Sequence, residues 1–166
     1  MTTQLKELWQ CPNCGERFVT PNMWHSYGRY SLGALFARSE PHVREIYDRL
    51  VELTQALGPV TIIPQKSRIA FQVRVRFFGC MPRKSHLLCG FWFTYRHDHP
   101  RFHKIEKYSP RAYGHFIRVQ ATEEFDEEFM GWLREAYAIG QQKHLGQSAD
   151  SPFHAVGGAD LELDVL

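Results

Sequence analysis

In Ser67-Arg-Ile-Ala-Phe-Gln-Val-Arg-Val-Arg-Phe-Phe78 large apolar residues recur at every second position from Ile69 to Phe77. Period two is the mark of a half-buried strand. Ile69, Phe71, Val73, Val75 and Phe77 are expected to point one way, and Arg68, Ala70, Gln72, Arg74 and Arg76 the other. Upstream the period is 3.6. Val43, Ile46, Tyr47, Leu50, Leu53 and Leu57 form one apolar stripe of a helix. Ser39 or Glu40 caps it, Pro41 fits its first turn, and Gly58-Pro59 stop it. Residues 31–40 read as a connector, and residues 60–63 as a short strand ended by Pro64.

Downstream, Pro82-Arg-Lys-Ser85 suggests a hairpin turn and residues 87–95 an aromatic-rich strand. His97-Asp-His-Pro100 breaks it. Residues 102–108 and 115–120 are weaker strands around Ser109-Pro-Arg111. A second helix is expected from Thr122, with acids in its first turns where the helix dipole favours them. Its stripe is Phe125, Phe129, Trp132, Leu133, Ala136 and Tyr137, and Gly140 is its stop. Strands so closely spaced leave no room for crossover helices. The expected fold is therefore α+β: an antiparallel sheet of about four to five strands, flanked by two main helices and preceded by a zinc-knuckle-like arm. The expected division is residues 1–30 for the arm, 31–140 for the α+β domain and 141–166 for an acidic tail, with a possible edge strand at 161–165.

The chain has 166 residues, 43% of them hydrophobic, which suits one globular domain and excludes a largely disordered chain. It contains no apolar run long enough for a membrane helix and no apolar signal core at its start. Four cysteines in that setting point to reduced thiols and a cytoplasmic location. The net charge of +2 hides a segregation. Residues 66–118 hold twelve Lys or Arg against two acids, whereas residues 123–166 hold two against ten. A basic middle attracts polyanions, unless the acidic end lies against it and cancels it.

On the expected strand, Arg68, Arg74 and Arg76 share one face, and Arg96, Lys104, His115 and Arg118 join them if the neighbouring strands pair alongside. Guanidinium groups grip phosphates in bidentate fashion. Trp92 or Tyr113 would then offer bases a stacking surface. The leading expectation is a binding module for nucleic acid or a phosphorylated ligand. The plainer reading is a solvated sheet face, or arginines paired with the Glu-rich helix. No helix-turn-helix or RNA-recognition pattern accompanies the charge.

A phosphate-directed hydrolase or metal-dependent enzyme is an alternative, with His103 and His115 as candidate catalytic groups beside arginines. No GxSxG, P-loop or GxGxxG supports an enzyme. His97, His99 and His103 around Asp98 offer imidazoles to a metal, although a loop of this kind is more often simply solvated. Cys80 and Cys89, at strand positions, read as buried small apolar residues.

Cys11-Pro-Asn-Cys14-Gly15 has the form of half a zinc site, and His25 follows at a suitable distance. The fourth ligand stays open: His42, Glu40, another residue of the main domain, or water. A metal-free knuckle and a redox CxxC are the alternatives. A third function follows from this element, a protein-interaction or homodimerising module that uses the knuckle and the acidic tail.

The chain resembles the bacterial family known as the domain of unknown function 5655. The resemblance runs over roughly residues 41–140. It is carried by Gly58-Pro-Val60, Lys66-Ser-Arg-Ile-Ala-Phe-Gln-Val-Arg-Val-Arg-Phe77, Pro100-Arg-Phe-His-Lys104, Ser109-Pro-Arg-Ala-Tyr-Gly-His-Phe-Ile-Arg118 and Trp132-Leu-Arg-Glu-Ala-Tyr-Ala-Ile-Gly140. Some relatives carry an N-terminal knuckle like Cys11-Pro-Asn-Cys-Gly-Glu-Arg-Phe18, ending in His-Ser-Cys, where this chain has His25-Ser-Tyr27. The resemblance implies no activity and supplies no catalytic residues.

Overall fold

The structure, a computed structural model, describes residues 4–23 and 29–146. His25, the acidic tail from residue 147 and the expected edge strand at 161–165 lie outside the described residues. A two-stranded hairpin, β1 (Trp9–Gln10) and β2 (Arg17–Phe18), precedes the main body. The connector contains a short helix α1 (Leu32–Phe36), whose N-cap Ser31 accepts from the Ala34 amide. Helix α2 (Pro41–Gln55) begins at the expected proline, with Glu40 as N-cap residue. Then follow β3 (Thr61–Pro64), β4 (Ile69–Gln72), β5 (Arg76–Pro82), β6 (Leu87–Phe93), β7 (Lys104–Ser109), β8 (Ala112–Val119) and helix α3 (Glu127–Gly140). The fold is α+β, as expected, but its fully antiparallel sheet is larger than the four to five strands expected, with six in the order β3-β4-β5-β6-β8-β7.

Two expectations need correction. Residues 67–78 are not one strand. Val73, Arg74 and Val75 turn the chain, and β5 runs back along β4 with an irregular step that sets Arg76 opposite Gln72. The cause lies far away in sequence: the Gly140 carbonyl, at the end of α3, accepts from the amides of both Arg74 (2.9 Å) and Val75 (3.1 Å). Parity therefore flips, and Phe78 rather than Phe77 faces Phe71. The last helix starts at Glu127 rather than Thr122. Thr122–Glu124 makes a separate 3₁₀ turn, and Asp126 caps α3 by accepting from the Phe129 amide at 3.0 Å.

Both long helices pack on one face of the sheet. Phe71, Phe78, Phe91 and His115 lie in register across four strands there, and Cys80, Cys89 and Ile117 form the next row. The helices add Ile46, Tyr47, Leu50, Phe129, Trp132 and Leu133 to the same core. Cys80 and Cys89 are buried and form no disulfide, and burial pushes both thiols above their ordinary value. Among the described residues no helix is long and apolar enough to cross a membrane.

Candidate anion-binding site

The hairpin between β4 and β5 disperses the three arginines that alternation placed together. Arg68 is 7% exposed, and its Nε donates to Gln65 Oε1 at 2.6 Å. Arg74 sits in the turn, where its Nε donates to Gln142 Oε1 at 2.9 Å and its terminal nitrogen to the Lys6 carbonyl. Arg76 is 4% exposed. They form no common solvent-facing row. Arg96, on an exposed loop, pairs with Asp98 at 2.9 Å.

His115 is also displaced from its expected setting. Parity on β8 puts it on the helix-covered face, away from Arg118. It is fully buried against Phe93 and Phe102. Its Nε2 accepts from the His97 amide at 2.8 Å and its Nδ1 lies 3.2 Å from the Tyr113 carbonyl. Burial holds its pKa down to about 4. A neutral ring with both nitrogens engaged is a structural group. The neighbouring loop is docked rather than solvated. Arg101 donates to Asp126, to Glu128 and to the Glu124 carbonyl, and lies 5.3 Å from the Trp132 ring centre. His99 pairs with Glu128 at 3.1 Å. The Glu-rich start of α3 is thus taken up by Arg101, His99 and Arg134.

The second face of the sheet carries small and aromatic residues. Ala70, Gly79 and Gly90 stand in register with Phe116 and Lys104. The Phe116 ring lies over Gly90 and Gly114, where an added Cβ would approach it to 2.9 and 3.1 Å. Ring-over-glycine packing of this kind covers part of that face. What is left is an apolar groove of about 330 Å³, solvent at its mouth included, lined by Arg68, Met81, Trp92 and Phe116. Beside it runs a polar chain: Tyr108 donates to Glu106 at 3.0 Å, and Lys104 pairs with Glu106.

Toward one end of this face the charge is concentrated. Arg118 stands opposite Leu88 and is exposed. Arg83 and His86 close the adjoining turn through an Arg83 amide to His86 carbonyl bond of 2.9 Å. His103 arrives from the other side, its amide and Nδ1 both within 3.1 Å of the Phe116 carbonyl. Burial, then Arg118, Arg83 and His103, lower the pKa of His86. Burial and Arg118 likewise lower that of His103, with a further contribution from Lys104. Among the described residues no carboxylate lies within ion-pair distance of Arg118. Of the expected anion ligands the fold thus brings together Arg118, Lys104 and, from the catalytic candidates, His103. Arg83 and His86 were missed because they lie in and beside a turn that reads as ordinary surface. The available signal was the parity of His86 with Leu88 on β6.

A family model described as a domain of unknown function (DUF5655) matches residues 33–140. The chain belongs to the DUF5655 family. No curated protein and no solved structure matches it. The DUF5655 region contains the whole cationic cluster and begins after the N-terminal hairpin.

In that hairpin, ahead of the DUF5655 region, Cys11 and Cys14 flank a tight turn. The Gly15 amide donates to the Cys11 carbonyl at 2.9 Å, and Gly15 takes the left-handed φ of 78° that the turn requires. The Asn13 amide points at Cys11 Sγ, 3.4 Å away, and the two thiols contact each other. Burial opposes ionisation of Cys11, but the amides of Asn13 and Cys14 outweigh it and lower its pKa, whereas burial raises that of Cys14. Two soft donors side by side fit half of a tetrahedral zinc shell. Among the described residues no group of three or more His, Cys, Asp or Glu is placed to hold a metal ion.

Proposed function

We propose that this DUF5655 protein is a binding module for phosphate-bearing ligands, a nucleic acid or a smaller phosphorylated molecule, held through Arg118 with Lys104, His103, His86 and Arg83 beside it. One observation carries the reading: exposed Arg118 has no carboxylate within ion-pair distance among the described residues and lies near His86 and His103, from two other elements, whose protonation it opposes. An uncompensated guanidinium among cations is a site for an anion. Fluorescence anisotropy with a single-stranded oligonucleotide, and calorimetry with inorganic pyrophosphate, test it at low salt. At least one of the two binds, Arg118→Glu weakens binding by about tenfold or more with an unchanged circular dichroism spectrum, and for the oligonucleotide log K falls with log salt by about 0.7 per neutralised phosphate. Absence of binding by both probes at low salt sinks the proposal. A cytoplasmic location accords with the reduced cysteines.

A second reading is favoured by the paired thiols alone. We infer that Cys11 and Cys14, with His25, hold a zinc ion that fixes the arm. Elemental analysis of gently purified protein decides it. About one zinc per chain supports the reading and less than about 0.2 defeats it, because structural sites hold zinc tightly.

A further inference from the structure

We propose that the Arg118 cluster takes a phosphomonoester dianion, and that binding draws protons from the solvent onto His103 and His86. This rests on the anion-binding reading above and names its ligand class and its pH control. The first argument is shape. Arg118 comes from β8, His86 from the β5–β6 turn and His103 from the segment leading into β7, where the Phe116 carbonyl holds it, and Arg118 lies near enough to both histidines for its charge to oppose their protonation. With Arg68 and Arg76 buried and Arg74 held in its turn, no arginine row is left to follow a string of backbone phosphates. A compact cluster suits concentrated charge. A monoester approaches two negative charges at neutral pH and offers three acceptor oxygens, whereas a diester carries one charge.

The second argument is tautomeric. The Phe116 carbonyl only accepts, so the His103 Nδ1 3.1 Å from it carries the hydrogen, and Nε2 is bare while the ring is neutral. Protonation converts Nε2 into a donor. Without an anion, Arg118 opposes that step at both histidines. A dianion on Arg118 reverses the local potential, so the proton and the ligand favour each other.

Other charged groups border the site. Arg83 and Lys84 lie in the turn beside His86, and Lys104 with its partner Glu106 lies beyond His103. From α2, Glu40 and His42 pair at 3.4 Å and reach the far side of the turn. The Glu40 amide donates to the Lys84 carbonyl, and His42 Nε2 lies 2.8 Å from the Ser85 carbonyl. Among the described residues His42 is a further histidine close to this turn, so the variants must separate it.

Sulfate tests the proton coupling, because it keeps both charges from about pH 5.5 to 8 and any pH dependence belongs to the protein. With the full-length chain, sulfate is expected to bind about tenfold more weakly at the upper pH than at the lower, which corresponds to a one-unit rise in a histidine pKa on binding. His86→Gln combined with His103→Gln should flatten that profile and leave residual binding through Arg118. At about pH 6.5, glycerol 2-phosphate should bind about tenfold more tightly than dimethyl phosphate. A flat profile in the parent, or an unchanged slope in the double variant, overturns the coupling while anion binding stands. Equal affinity for the two phosphate esters overturns the monoester class. No binding of sulfate or glycerol 2-phosphate by protein with a native amide spectrum overturns this inference, and failure with pyrophosphate and oligonucleotide as well would take the parent reading with it.

Discussion

His115 and His103 lie on neighbouring segments of the chain, and both touch the backbone of β8, yet they face different solvents. His115 occupies the place of an aromatic ring in the row Phe71, Phe78, Phe91, under two helices, with both nitrogens engaged by backbone. His103 is exposed beside Arg118, with one nitrogen engaged and the other open. The same side chain is a rigid neutral spacer on one face and a proton acceptor on the other. His115 takes its face from its place in the pleat of β8, where successive residues point to opposite faces, whereas His103 lies just before β7 and is placed by its two contacts with the Phe116 carbonyl.

Substitutions on the two faces should therefore differ in kind. The largest effect is expected from Phe91→Ala on the helix-covered face, where the ring contacts Phe78, Phe129 and Trp132. A stability loss of about 3–5 kcal/mol is expected in urea titration. Next comes acid. His115 stays neutral down to about pH 4 in the fold, whereas an unfolded chain protonates it near its ordinary value. Between about pH 6.5 and 4 the unfolded state binds more protons, so stability falls as pH drops, by up to about 3 kcal/mol, and the contribution is fully present above that window. Urea midpoints measured across this range should decline, and His115→Gln should shallow the decline.

Smaller effects belong to the junction and the rim. Gly140→Val places a side chain within 2.5 Å of the Phe77 ring, beside the carbonyl that holds the β4–β5 turn, and should lower stability by about 1–3 kcal/mol in thermal unfolding. Arg101→Ala, a quarter-exposed hub, should cost about 1–2 kcal/mol, with the cost reduced at high salt. Arg118→Ala should change stability by no more than about 0.5 kcal/mol, since it is exposed and bonded to no carboxylate, while still weakening anion binding. A large stability loss at Arg118, or none at Phe91, would erase the contrast between the two faces.

Much of the framework was legible from local pattern. The 3.6-residue stripe ending near Gly58 and the acidic entry to the last helix each place a helix to within a few residues, because capping and burial act over one or two turns. The candidate site was less legible. Val73-Arg74-Val75 contains none of the residues that mark turns. The alternation is as good for one strand as for two, and the choice fell to the carbonyl of Gly140, sixty-odd residues on. With that turn, Arg68 and Arg76 went inside, and the cationic group moved to Arg118, Lys104, His103, His86 and Arg83. His86 and His103 carry no motif, and each precedes a strand whose pairing brings it near Arg118.

Sequence alone determined the class of fold, the two amphipathic helices and the excess of cations in the middle of the chain. These follow from periodicity, capping and charge, which residues express within their own neighbourhood. The tertiary structure decided where the ribbon folds back, which histidine is dry, and which arginines go inside or pair with carboxylates. Those outcomes depend on which side of the pleat each residue occupies, and a single long-range pair of hydrogen bonds is enough to reverse that side.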